Sequence, residues 1–129
     1  MKKIICLGNR FAYPDSYGIE VYNQLSKDEL GDIELIEGGI GGLNLSLYFD
    51  SEDDILLVDH GVGYDKKLFD LHEIDLSCVN EYNHDTAFLY LLKSIEKKNI
   101  KLYLSNNSKW QSEQILVDCK EIISLVGEV

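Results

Sequence analysis

Among the residues whose side chains commonly bind metal ions or move protons, six are candidates for one site, and they fall in four separate segments of the chain. They are Asp15, Glu37, Asp59, His60, Asn80 and His84. Carboxylate oxygens and imidazole nitrogens together suit divalent metals, whereas the amide of Asn is a poorer ligand for nickel or zinc than imidazole. A metal held by such a set would polarise a carbonyl group or activate a bound water. The residue types therefore predict a metal site, provided that the fold brings these segments together.

Apolar runs and helical spacing predict the elements that would have to position these residues. Four buried strands are predicted at residues 3–7, 33–36, 54–59 and 100–104. The segment 67–71 alternates charged and apolar residues, as is typical of an edge strand. Helices are predicted at residues 17–25, 43–49, 85–97 and 111–126.

The first and the last predicted helices can be described further from the sequence. In the first, Ile19, Tyr22 and Leu25 lie on one apolar stripe, and Asp15 or Ser16 is placed to cap its start. In the last helix, five residues are predicted to reach the core, namely Ile115, Val117, Ile122, Ile123 and Val126. A helix N-cap is also the alternative to a metal-binding role for Asp15.

Strands and helices alternate along the 129 residues, which predicts one α/β domain spanning residues 1–129. The expected architecture is a three-layer α/β/α sandwich with a mostly parallel five-stranded sheet. In such folds, sites form beyond the carboxyl ends of the strands. The loops expected there carry Asp15, the glycines after Glu37, and Asp59 with His60.

The charge balance excludes some classes of partner. The formal net charge is −11, which repels nucleic acid and anionic membranes and attracts cations or a basic peptide segment. The three cysteines are far apart and form no CxxC pair, so each is predicted to be a small buried residue. The first apolar run stops at Gly8, too early for a signal peptide or a membrane span, so we expect a cytoplasmic protein.

Other common active-site motifs are absent from the sequence. The chain has no Gly-x-Ser-x-Gly elbow, and its first loop lacks the second and third glycines of a dinucleotide fingerprint. The glycine pairs of residues 38–42 are not followed by Lys-Ser or Lys-Thr, so they do not form a Walker A loop. An unrelated nucleotide- or small-ligand-binding α/β domain is still one possible interpretation, since fold alone does not determine function.

Three blocks of residues follow one another in a recognisable order. The first is a predicted strand followed by Gly8-Asn9, then Asp15 and Gly18. The second is the acidic and glycine-rich run of residues 37–43, which contains Gly38, Gly39, Gly41 and Gly42. The third is Val58-Asp59 at the end of a strand. In this order the blocks resemble the nickel–iron hydrogenase maturation endopeptidase family over about the whole chain.

A fourth block departs from the family pattern. The family has a His-Glu motif before a helix, and aligning Ala87-Phe88 with that helix places Asn80 where the usual histidine ligand stands. His84 lies four residues later, one turn away in a helix, and is the first substitute for that imidazole. His60 is a second substitute, although neighbouring strand residues point to opposite faces.

The resemblance implies a function as well as a fold. It implies an endopeptidase that removes the C-terminal extension of a hydrogenase large-subunit precursor after nickel insertion. Asp15 and Asp59 would be catalytic, Asp15, Asp59 and His84 would bind the metal, and the four paired glycines would hold the substrate peptide. The nickel would arrive with the substrate, and the isolated protein could hold another divalent metal. The alternative is a non-catalytic relative that binds the precursor or its nickel, since Asn80 replaces the usual histidine.

Overall fold

The computed structural model of the protein describes residues 2–9, 11, 13, 16–39, 54–60, 68–70, 100–105 and 109–127. Its elements in chain order are β1 (Lys2–Leu7), α1 (Tyr17–Leu25), β2 (Ile33–Gly39), β3 (Asp54–His60), β4 (Leu68–Asp70), β5 (Ile100–Ser105) and α2 (Ser112–Gly127). All five predicted strands are confirmed, and so are the predicted first and last helices. The helices predicted at residues 43–49 and 85–97 lie outside the described residues.

The five strands form one sheet in the order β2-β1-β3-β5-β4. The four longer strands are parallel to their neighbours, and the three-residue β4 is antiparallel to β5 at one edge. This confirms the predicted α/β class and the mostly parallel sheet. The apolar runs form the central strands because a parallel sheet is buried on both faces.

Both described helices pack on one face of this sheet. The core between them is formed by strand residues Ile4, Cys6, Leu56, Val58 and Tyr103 and by helix residues Tyr17, Val21, Leu25, Ile115, Cys119, Ile122 and Val126, with Trp110 beside them. The strand residues that alternate with these, such as Ile5, Leu57 and Leu102, are also fully buried. The second helical layer of the predicted sandwich lies outside the described residues. No helix within the described ranges has the length and apolar character needed to cross a membrane.

The apolar stripe of α1 differs from the prediction. Tyr17, Val21 and Leu25 form the centre of the helix-side core. Ile19 is buried outside this cluster, and Tyr22 packs at its margin. The burial of Ile19 and Leu25 confirms two of the three predicted positions, and Tyr22 is partly buried. The prediction omitted Tyr17 and Val21; Tyr17 is suitable for the core because its hydroxyl has a buried partner.

The inward face of α2 also includes a residue that hydrophobicity alone excludes. Ile115, Ile122 and Val126 are buried as predicted, and Ile123 packs at the margin. Val117 is 59% exposed, so its predicted core position is wrong, and the neighbouring Asp118 is fully buried instead. Asp118 follows Ile115 by three residues and precedes Ile122 by four, which places it on the buried stripe.

Candidate active site

The carboxyl ends of β1 and β3 mark the point at which the strand order reverses. From β1 the chain passes to β2 on one side and then to β3 on the other. Loops leaving such a point diverge and leave a crevice in which ligands bind. Cys6 is paired with Val58, so the next residues, Leu7 and Asp59, stand side by side at this edge. The loop from β1 leads to Asp15, and the end of β3 carries Asp59.

Asp59 is a fully buried carboxylate at this edge. Its Oδ1 accepts a hydrogen bond from the backbone N–H of His60 at 2.7 Å. A carboxylate removed from water is costly unless hydrogen bonds or opposite charges compensate, and such groups are concentrated at functional sites. Of the proposed metal ligands, Asp59 lies within the described residues, whereas Asp15 and His84 lie outside them, as does Asn80.

The imidazole of His60 lies on the helix side of the sheet. It is buried, and its ring centroid is 6.4 Å from that of Tyr17 in α1. Because alternate strand residues point to opposite faces, the side chain of Asp59 projects from the other side. This arrangement does not favour one ion bound jointly by the side chains of His60 and Asp59.

The first turn of α1 is pressed against the end of β1. A Cβ atom on Gly18 would lie 1.8 Å from the carbonyl oxygen of Leu7, so only glycine permits this approach. Ser16 occupies the N-cap position of α1 without a side-chain capping bond, which differs from the predicted capping role. The close contact therefore sets the start of α1 at the carboxyl end of β1.

The glycines at the end of β2 bend that strand beside β1. Cys6 is paired with Glu37 and Leu7 with Gly39, so Gly38 is an extra residue that interrupts the register. Gly39 has a φ of 59°, in the left-handed region, and its carbonyl oxygen accepts a hydrogen bond from the backbone N–H of Gly8 at 2.6 Å. The predicted bend is confirmed at Gly38 and Gly39. Gly41 and Gly42 lie outside the described residues, and substrate binding by the four glycines stays a prediction.

A buried polar network joins the start of α1 to α2. The hydroxyl of Tyr17 donates to Asp118 Oδ2 at 2.7 Å, and Gln114 Nε2 donates to Asp118 Oδ1 at 2.8 Å. The hydroxyl of Tyr103 is buried near this carboxylate, but within the described residues no group meets it with hydrogen-bond geometry. Burial, followed by the charge of Asp118, raises the pKa of both tyrosines above the ordinary range. Both tyrosines therefore stay protonated at neutral pH.

Aromatic side chains connect the loop after β1 to the segment before α2. Trp110 is buried, and its ring is 4.8 Å from that of Tyr13 and 6.0 Å from that of Tyr17. The hydroxyl of Tyr13 donates to the carbonyl oxygen of Trp110 at 2.7 Å. In the same loop Phe11 is 91% exposed, while its backbone N–H donates to Asn9 Oδ1 at 3.0 Å. Both aromatic residues of this loop are exposed, but Tyr13 is held by its contacts with Trp110.

No protein-family model matches the chain, and no curated protein does either. Solved structures match over nearly its full length. The hydrogenase maturating endopeptidase HybD from E. coli is 14% identical with a TM-score of 0.76, covering 99% of this chain and 93% of that one. The [NiFe] hydrogenase maturation protease HybD from Thermococcus kodakarensis is 16% identical with a TM-score of 0.64, covering 99% and 98%. HycI from Thermococcus kodakarensis KOD1 is 16% identical with a TM-score of 0.63, covering 98% and 89%.

The chain has the fold of the hydrogenase maturation endopeptidases. The resemblance found in the sequence is thus confirmed at the level of the fold, over nearly the whole of each chain. Within this endopeptidase fold, the two carboxylates of the predicted site come from the loop after β1 and from the end of β3.

The two described thiols are unsuited to nucleophilic catalysis. Cys6 and Cys119 are buried, which confirms their predicted character. Burial, and then the charges of Cys119, Asp59 and Glu37, raise the pKa of Cys6 above its usual range. Burial, and then the charge of Asp118, raises the pKa of Cys119 to about 12. The thiolate is the reactive form, so both groups are inert at neutral pH. Cys78 lies outside the described residues.

The described part of the endopeptidase fold does not by itself complete a metal site. Among these residues, no three His, Cys, Asp or Glu side chains are grouped so that they could hold an ion. The ligand set of Asp15, Asp59 and His84 therefore stays a prediction. Sequence reasoning missed Tyr17 and Asp118, although an aspartate on the apolar stripe of α2 was a signal for a buried polar contact.

Proposed function

We propose that the protein is an endopeptidase that removes the C-terminal extension of a nickel–iron hydrogenase large-subunit precursor after nickel insertion. The solved structures with its fold, quoted above, are maturation endopeptidases by name, which supports hydrolysis of a peptide bond. We further propose that it acts in the cytoplasm, on a folded protein substrate, and without nucleic acid or membrane as a partner.

The observation that carries this proposal is the position of Asp59. Its carboxylate is fully buried, yet it stands at the end of β3 where the strand order reverses, beside the end of β1. Asp59 and Glu37 both contribute to raising the pKa of the Cys6 thiol, so two acidic side chains lie near this end of β1, one on each face of the sheet. A buried carboxylate such as that of Asp59 attracts a divalent cation more strongly than an exposed one.

In the proposed reaction, Asp15, Asp59 and His84 hold the nickel that the precursor carries. Held there, the ion would supply Lewis-acid chemistry, by polarising the scissile carbonyl or by lowering the pKa of a bound water. One carboxylate accepts a proton from the attacking water, whose oxygen bonds to the carbonyl carbon. The C–N bond then breaks, and the proton passes to the leaving amine. Gly38 and Gly39 lie at the end of β2, which is paired with β1, and we propose that they contact the substrate backbone.

Replacement of one carboxylate on β3, with a matched control on the same strand, tests the proposal. Asp59→Asn removes the charge at the carboxyl end while its amide oxygen can still accept the hydrogen bond from the His60 N–H. Asp54→Asn makes the same change at the amino end of β3, remote from the proposed site. Each variant is incubated with nickel-loaded precursor, and loss of the C-terminal segment is followed by mass spectrometry.

We expect the wild type and Asp54→Asn to process the precursor, and Asp59→Asn and Asp15→Asn to leave it intact. Undiminished cleavage by Asp59→Asn would overturn the assignment of this site. Binding of the precursor by the wild type without any loss of mass would instead support the non-catalytic relative, which the position of Asn80 suggests. Co-purification of the precursor in the same samples distinguishes these two results.

A further inference from the structure

Tyr17 relates the two halves of the proposed site to each other. It is the first residue of α1, two positions after Asp15 in the chain, and it is fully buried. Its ring centroid is 6.4 Å from that of His60, which directly follows Asp59 at the end of β3. Tyr17 is therefore close to Asp15 in the sequence, and its ring lies beside the strand end that carries Asp59.

Asp118 on α2 holds this tyrosine in place. The hydroxyl of Tyr17 donates to Asp118 Oδ2 at 2.7 Å, and the second carboxylate oxygen accepts from Gln114 at 2.8 Å. Both Tyr17 and Asp118 are fully buried, and a hydrogen bond to a buried carboxylate is stronger than a neutral one. The tyrosine ring is thus fixed at its hydroxyl end, while Trp110 packs edge-on against it.

The opposite side of the same helical turn is fixed by backbone contact. Gly18 lies so close to the carbonyl oxygen of Leu7 that the structure has no room for even a methyl group there. The start of α1 is therefore held between β1 on one side and α2 on the other. Loss of the Tyr17 hydroxyl would release one of these two restraints and leave the other intact.

We propose that Tyr17 and Asp118 are positioning residues, whose hydrogen bond holds the start of α1, two residues after Asp15 in the chain, beside the end of β3 that carries Asp59. This inference rests on the proposed function. Neither residue needs to touch the substrate. A displacement of reacting groups by about 1 Å can lower a rate about 100-fold, so a bond remote from the reacting atoms can control catalysis.

Three variants separate positioning from stability. Tyr17→Phe removes one oxygen atom and keeps the ring against Trp110 and His60. Tyr17→Phe leaves the buried carboxylate of Asp118 with one hydrogen-bond donor fewer. The double variant Tyr17→Phe/Asp118→Leu removes that carboxylate as well, so we expect it to be more stable than Tyr17→Phe alone. Val21→Ala lowers stability by making a cavity on the same face of α1, without changing the hydroxyl or the carboxylate.

Each protein is assayed for processing of nickel-loaded precursor, and its free energy of unfolding is measured with urea. We expect kcat to fall about tenfold or more in Tyr17→Phe and in the double variant, with KM within about twofold of wild type. Val21→Ala should keep the kcat of the wild type at temperatures where it is folded. The regained stability of the double variant should not restore its rate.

Three other results would overturn the inference. If wild type processes the precursor and kcat follows stability across the three variants, Tyr17 and Asp118 are structural residues only, while the proposed function stands. If Tyr17→Phe processes at the rate of the wild type, positioning by this bond is excluded. If wild type and Asp54→Asn both leave the precursor intact, the proposed function is wrong, and the positioning role is wrong with it.

Discussion

The position of a Cβ atom on Gly18 lies 1.8 Å from the carbonyl oxygen of Leu7. Because that oxygen belongs to the backbone of a central strand, it cannot move aside as the end of a flexible side chain could. Gly18→Ala must therefore push α1 away from β1. We expect a loss of about 3 kcal/mol or more in the free energy of unfolding, at the upper end of overpacking effects. Urea unfolding followed by circular dichroism measures it.

Asn23→Ala, on the exposed face of the same helix, is the control for this substitution. It should change the free energy of unfolding by less than about 0.5 kcal/mol, as is usual for surface positions. Equal stability of the two variants would show that α1 does not approach β1 as closely as described.

Alkaline pH should destabilise the protein through its buried acids. The pKa values of Tyr17, Tyr103 and Cys6 are raised above their ordinary values, and that of Cys119 is raised from 9.0 to about 12. Above pH 9 the unfolded chain releases protons that the folded chain retains, so stability is complete below that pH and falls as pH rises. Each shifted group contributes up to about 1.4 kcal/mol per pH unit.

Tyr17→Phe tests the contribution of one of these acids. It removes one group that titrates near pH 10 in the unfolded chain only. Above pH 10, the stability of this variant should fall less steeply than that of wild type, by about 1.4 kcal/mol per pH unit. Urea unfolding at several pH values between 7 and 11 gives both slopes. Parallel slopes would indicate that the hydroxyl of Tyr17 ionises equally in both states.

Thiol labelling should show that Cys6 and Cys119 do not react in the native protein. In a Cys78→Ser variant these two are the remaining thiols, and both are buried with raised pKa values. We expect almost no reaction with a disulfide reagent in the native protein at pH 8 and two thiols per chain in urea. Rapid labelling of a native thiol would contradict their burial, and peptide mapping would identify which one reacts.

Phe11 should contribute to substrate affinity if the proposed function is correct. Its side chain is 91% exposed in the loop that leads to Asp15, so Phe11→Ala removes almost no buried surface. We expect unchanged stability and a KM for the precursor raised about fivefold or more, since exposed aromatic residues often anchor protein interfaces. Leu116→Ala changes an exposed apolar residue on α2 and is the control. An equal KM for both variants would remove Phe11 from the interface.

The order and type of the described elements could be predicted from the sequence because their signals are local. The apolar runs of β1 and β3 and the helical spacing of α1 require no knowledge of distant residues. Two strands extend well beyond their predicted ends or past a polar residue, since β2 continues to Gly39 and β3 to His60, whereas β4 is shorter than the predicted segment 67–71. Glycine and polar residues ended the predicted strands, but pairing with β1 and β5 extends them.

The buried polar contact at the site could not be predicted, because it joins residues 101 positions apart. Hydrophobicity places Val117 inside and Asp118 outside, whereas the structure has the reverse. Burial of this carboxylate costs little only when Tyr17 and Gln114 donate hydrogen bonds to it. Tyr17 is on α1 and Gln114 is on α2, so the pattern of either helix alone does not predict the contact. Asp59 could be predicted as a candidate because its block of residues is contiguous and follows a strong apolar run.

The contact between Tyr17 and Asp118 also bears on how the chain folds. The earliest strand is central in the sheet, and its helix-side face is completed by α2, the last described element. Lys2 Nζ donates to the carbonyl oxygen of Val126 at 2.8 Å, so sequence-distant segments meet at the other end as well. Contacts of such long sequence separation slow folding, because the loop between them must close first. During synthesis, the apolar residues of β1 and α1 that α2 covers stay exposed until α2 has left the ribosome. Chaperones are expected to bind the chain mainly in this interval.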